Sequence, residues 1–314
     1  MTNLDRTALF PAVAALSGGR DADVETLVNA ASRLRPGNDA WFGLTPSLDA
    51  AIPAFGGRDA SVDAAIAAVQ NTSICHQPSA ESITALRRYG ELDCTGITCA
   101  FRVNGSAWSP WLMLANEWPP ISASDVLDEL GDPWSFRMRF IKRLRSFDGH
   151  ASIGLSADAS GDIWHISRHT EIERNNAESF VGQIRTTLDE AMAALPGATS
   201  SVTDREKQAG SLERAILGTT WKHSRRMVST TLSWRVGMPV HTVSVEVRDV
   251  RTDDATALLK LDGFDLSRFA TVGSILGLLE VPAERDGHRW LRHASFEFHG
   301  GARPDVWLGV PVSP

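Results

Sequence analysis

The stretch HASFEFH, residues 293–299, alternates without a break: Ala294, Phe296 and Phe298 fall on one side, His293, Ser295, Glu297 and His299 on the other. Successive side chains of an extended chain point to opposite faces, so this spacing predicts a strand with one apolar and one chemistry-bearing face. The pattern recurs at 163–171, where Trp164 and Ile166 oppose His165, Ser167, His169 and Glu171, and at 242–248, whose polar row is Thr242, Ser244, Glu246 and Arg248. Such rows are ordinarily the solvated face of an antiparallel sheet; the alternative is the wall of a groove or lumen.

Working outward, four segments read as β-hairpins: 97–103 with 110–114, 151–157 with 162–168, 242–250 with 255–261, and 290–298 with 304–310. Their connections carry turn residues, among them Asn104-Gly105 and DASGD. Helical spacing marks 79–89, 122–130, 204–217, 266–280 and most clearly 176–195, where Phe180, Val181, Ile184, Leu188, Ala191 and Leu195 share a face before the stop at Pro196-Gly197. The segment 135–147 fits strand or helix. Hairpins interleaved with helices predict an α+β fold, an antiparallel sheet with helices mainly on one face; a closed barrel with helices outside is a variant of the same pattern.

The first 78 residues read differently. LSGGRDADV (16–24) resembles the SGGxDS phosphate loop of the ATP pyrophosphatase families, but Ala22 stands where that loop has Ser, and Ala-rich helix formers precede the glycines. The motif returns as FGGRDASV (55–62). Both copies read as helix–turn–helix junctions, with Asp21 and Asp59 near helix N-termini. The repeat loosely resembles HEAT-type helical hairpins, which implies two N-terminal helical hairpins over 1–78 and an α+β domain over 79–314.

The chain has 314 residues and a net charge of −7, so no global field draws it to nucleic acid or an acidic membrane. MTNLDRTALF lacks the character of a signal peptide and no apolar run is long enough for a span, so a cytoplasmic protein is expected. Cys75, Cys94 and Cys99 have no metal-ligand spacing, and two of them read as small buried thiols. On a strand, His165 and His169 stand roughly 13 Å apart, too far to share a zinc ion. No cofactor motif or complete catalytic set is visible. The basic run Arg137, Arg139, Lys142, Arg143, Arg145 reads as a solvated face.

Two functional classes follow. Ten Trp against one Tyr, together with the helical repeat, point to a non-enzymatic protein-interaction or binding protein, of toxin-neutralising or scaffold type, with Trp41, Trp108, Trp111 and Trp118 as exposed anchors for an unidentified protein partner. The alternative is an enzyme. HASIGL (150–155) and HASFEF (293–298) both read His-x-Ser, a pattern that resembles the paired strands of two-histidine phosphoesterases. That resemblance implies His150 and His293 as acid and base on neighbouring strands, with Ser152 and Ser295 holding phosphate.

Overall fold

A strand with one apolar and one polar row needs two different surroundings, and a closed sheet supplies both. The computed structural model of the chain describes residues 39–44, 51–59, 61–91, 94–104, 107–116, 149–193, 202–235, 242–261, 287–299 and 304–311. Its strands are β1 (Asp39–Leu44), β2 (Ala51–Asp59), β3 (Cys94–Asn104), β4 (Ala107–Asn116), β5 (Gly149–Asp158), β6 (Gly161–Glu173), β7 (Arg225–Trp234), β8 (Thr242–Arg251), β9 (Trp290–Phe298) and β10 (Asp305–Pro311). Each pairs antiparallel with its sequence neighbours and β10 pairs with β1, which closes a ten-stranded barrel and leaves no free edge. Helices α1 (Val62–Gln70) and α2 (Ala80–Gly90) lie between β2 and β3, α3 (Ala177–Ala193) and α4 (Val202–Leu217) between β6 and β7, and α5 (Thr252–Leu261) follows β8.

The register makes the polar rows continuous around the wall. His165, Ser167 and His169 lie opposite Ser233, Thr231 and Ser229. These in turn face Thr242, Ser244 and Glu246, and the ladder runs on to Glu297, Ser295 and His293. The apolar rows coincide in the same way: Ile166, Leu232, Val243 and Phe298 are neighbours, as are Val245 and Phe296. All of these apolar side chains are buried, and they join one core with Phe180, Ile184 and Leu188 of α3 and Leu212 and Ile216 of α4. The main hydrophobic core therefore lies outside the barrel, between its wall and the helices. The polar rows face the lumen, because Arg102 of β3 meets Glu297 of β9, and β2, β1 and β10 separate those strands around the wall.

Three hairpins stand as the pattern predicts: β3–β4, β5–β6 and β9–β10. The fourth does not. Residues 252–261 form α5, with Ala255, Leu258 and Leu259 buried at helical spacing and Asp253 and Asp254 in the first turn, where the helix dipole favours carboxylates. The helical repeat is also corrected. Residues 55–59 belong to β2, with Gly56 and Gly57 paired to Ala100 and Cys99 of β3. Ladder partners on both sides override the helix preference of the Ala-rich flank. Asp59 ends the strand, and Ser61 caps α1 by accepting from the Ala64 amide at 3.2 Å. The segment 1–78 thus contributes two staves to the same barrel that 79–314 completes. The first glycine copy, the helices at 122–130 and 266–280, the segment 135–147 and the basic run lie outside the described residues. Among the described residues no helix is long and apolar enough to cross a membrane.

An outward-facing core has a measurable signature. Phe296→Ala should cost about 3–5 kcal/mol in chemical denaturation. Ser295→Ala, one residue away but in the lumen, should cost no more than about 1 kcal/mol. Equal losses would mean that the two faces are misassigned.

Candidate functional site

The lumen face of β5, β6 and β7 is a lattice of hydroxyls and imidazoles. The His165 ring bonds Ser233 Oγ through Nδ1 at 2.7 Å and Ser156 Oγ through Nε2 at 2.8 Å. His169 repeats the arrangement one step along, with Ser229 at 2.7 Å and Ser152 at 2.6 Å. Between them the Ser167 and Thr231 hydroxyls bond at 2.5 Å. Rotatable hydroxyls either donate or accept, so each ring keeps both hydrogen bonds whichever nitrogen carries the proton.

Among its described side chains β5 offers this lattice small residues: Ser152, Gly154 and Ser156. A Cβ on Gly154 would come within 2.6 Å of the Leu112 carbonyl oxygen and 2.9 Å of Met113 Sδ. Over this low stretch of wall Trp111 of β4 reaches His165 of β6, and their rings stack at 4.0 Å and 19°. The Arg102 guanidinium lies over the Trp111 ring at 4.0 Å and over the Trp307 ring at 4.5 Å. Trp307, Arg102, Trp111 and His165 thus make one run of contacts through the lumen.

Two carboxylates mark the charged wall. Glu297 pairs with Arg102 and accepts from the Trp307 indole Nε1 at 3.0 Å. Burial alone would raise its carboxyl, but Arg102 foremost, then His299, holds it below the usual carboxylate range. Glu246 accepts from Arg248 Nε at 3.2 Å, and His293 Nδ1 lies 4.0 Å away. Here too burial works upward, while His293, Arg248 and His169 bring the carboxyl down to about 2. The His293 ring rests on the backbone of β10 at Gly309, where a Cβ would come within 2.3 Å of its Cε1. Only glycine admits that approach.

The sequence candidates separate. Ser152 and Ser295 belong to the lumen-facing ladders, and the Ser152 hydroxyl shares a hydrogen bond with His169. His150 lies opposite His169 on β5, and its side chain is outside the described residues. His293 is on β9, with β6, β7 and β8 intervening, so the two His-x-Ser segments are not neighbouring strands. The phosphoesterase reading fails on that topology. Trp108 faces outward and is buried in the helix-covered core, whereas Trp111 faces the lumen. Trp41 sits on β1 opposite Gly309 with its side chain outside the described residues, as is Trp118. Neither described candidate is an exposed anchor. Arg102 and Trp307 belong to no sequence motif, although the alternation Thr98, Ala100, Arg102 on β3 marks the first. Cys75 and Cys99 are buried free thiols, and burial pushes Cys75 up to about 12, which leaves it un-ionised near neutrality. Among the described residues no cluster of His, Cys, Asp and Glu is placed to hold a metal ion.

No family model matches the chain, and no curated protein matches it in sequence. Solved structures do. The prenyltransferase PriB in binary complex with product diphosphate matches at TM-score 0.66 and 14% identity, covering 99% of this chain and 95% of PriB. The chain shares the barrel fold of that prenyltransferase. PriB in ternary complex with L-tryptophan and dimethylallyl thiolodiphosphate matches at TM-score 0.65 and 14% identity, over 98% of this chain and 94% of that one. The 5-dimethylallyl tryptophan synthase from Streptomyces coelicolor, in complex with DMASPP and Trp, matches at 0.59 and 14%, over 96% and 92%. These prenyltransferase barrels overturn the expectation of a helical-repeat interaction or scaffold protein with a protein partner. The matched proteins are enzymes crystallised with small molecules, and the match runs along nearly the whole chain.

The depressed carboxyl of Glu246 sets an acid-stability test. Its ionised form stabilises the folded protein above the unfolded carboxylate range of about 4.3, and that contribution is lost as pH falls toward the folded value of about 2. Urea denaturation at stepped pH should show stability falling across this window, with a flatter acid limb in Glu246→Gln. An unchanged slope would refute the assignment.

Proposed function

We propose that this chain is an enzyme that transfers a prenyl group from an allylic diphosphate to an electron-rich aromatic acceptor inside its barrel. The observation that carries the reading is a lumen whose charges and π faces are assembled within a prenyltransferase barrel. In such a transfer the carbon–oxygen bond of the allylic diphosphate breaks and the bonding pair leaves with diphosphate. The allylic carbon joins the acceptor, and the acceptor loses a proton.

Each need has a counterpart in the lumen. A planar delocalised cation is stabilised by aromatic faces, and the Trp111 and Trp307 rings already flank the planar cation of Arg102. Arg102 and Arg248 supply positive charge for a diphosphate once the ligand competes with Glu297 and Glu246. Glu297, held by Arg102 and the Trp307 N–H, is an ionised carboxylate placed to take the acceptor's proton or orient its N–H. Closure of the wall keeps water from quenching the cation. The neighbours' ligands make dimethylallyl diphosphate and tryptophan or a simpler indole the first pair to assay.

Incubation with these substrates, read by mass spectrometry for addition of the prenyl mass, should give product. Glu297→Gln should lower kcat/KM by about 10² or more without unfolding the barrel. Absence of product across allylic diphosphates and indole or phenol acceptors, with folded protein, would overturn the reading.

A further inference from the structure

Prenyl transfer releases one proton per turnover, and a carboxylate that accepts it inside a closed barrel must pass it on before the next cycle. Glu297 is 6% exposed and cannot deliver a proton straight to solvent. Two residues along the chain, just past the end of β9, the His299 side chain is 42% exposed. Its Nε2 lies 3.8 Å from Glu297 Oε2 and 3.3 Å from Asp305 Oδ2 at the start of β10. Asp305 is also the cross-strand partner of Glu297, so the register fixes all three at one end of the barrel. Arg102, Glu297, His299 and Asp305 alternate in charge from the lumen to its mouth.

We propose that His299 is the proton-relay residue of this lumen, carrying the proton that Glu297 accepts out past Asp305 to solvent. The inference rests on the prenyl-transfer reading of the same site. The imidazolium gives its Nε2 proton to Asp305 and thence to water. The neutral ring, protonated at Nδ1, then takes the proton from Glu297 Oε2 at the vacated Nε2. Each cycle returns both groups to their starting charge and needs no further reactant. Among the described residues the charged groups facing His299 are Asp305 from β10, Glu297 from β9 and Arg102 from β3. Burial and Arg102 oppose the imidazolium, while the Asp305 hydrogen bond and the Glu297 charge outweigh them and raise the group above its ordinary value. A raised value lets the ring hold a proton near neutrality and still exchange it with water.

Two measurements test this. Imidazole titration by NMR on the whole ligand-free protein should place His299 above an exposed histidine, and both Glu297→Gln and Asp305→Asn should lower it. A His299 value that neither substitution moves would overturn the relay whatever the activity. In the transfer assay His299→Gln should lower kcat by at least about tenfold with the acceptor KM within about twofold, and added imidazole should restore part of the loss. Full kcat in His299→Gln would overturn the relay while leaving the prenyl-transfer reading intact. Wild-type protein without transfer activity would overturn that reading and remove the relay's reaction with it.

Discussion

The pairing of β1 with β10 is the constraint on which the other features depend. Once Asp39–Leu44 locks against β10, every strand has a neighbour on both sides, and the sheet separates two interiors instead of one interior and bulk water. The outer face must be covered, so Val243, Val245, Val247, Phe296 and Phe298 pack under helices. The inner face is polar but largely removed from solvent, so its groups must satisfy one another. The same alternation that would mark a solvated face in an open sheet therefore becomes a hydrogen-bonded lining.

That lining is balanced by charge as well as by hydrogen bonds. Arg102 is matched to Glu297, whose carboxylate is buried, and Arg248 to the half-buried Glu246; a carboxylate removed from water holds its geometry only when further donors complete it. The Trp307 N–H does this for Glu297, and His293 stands beside Glu246. Among the described residues these two pairs each balance one cation with one carboxylate.

Much of this was written in period 2. The rows His165-Ser167-His169, Ser244-Glu246-Arg248 and His293-Ser295-Glu297 are legible as strand faces, and α3 is legible from its spacing and its stop. What alternation cannot give is the surroundings of each face, because a lumen and a solvated surface select the same polar row. β7 escaped notice because serine and threonine fall on both of its faces: Ser229, Thr231 and Ser233 inward, Thr230 outward. β2 was read as helix because Ala and Gly are compatible with either state until β1 and β3 supply the ladder. The His-x-Ser likeness was real as a pattern of spacing, but strand order placed His150 and His293 apart.

The residues that shape the lumen most are those with least to read. Gly154 and Gly309 carry no chemistry, yet each leaves room for a neighbour's side chain. At Gly154 the space a Cβ would need is taken by the Leu112 carbonyl and the end of the Met113 side chain, while Trp111 stacks on His165 across β5. At Gly309 the wall is low enough for the His293 ring to sit against β10, 4.0 Å from Glu246. A side chain at either point would collide with neighbouring atoms, so the two glycines let β5 lie against Leu112 and Met113 and β10 against the His293 ring.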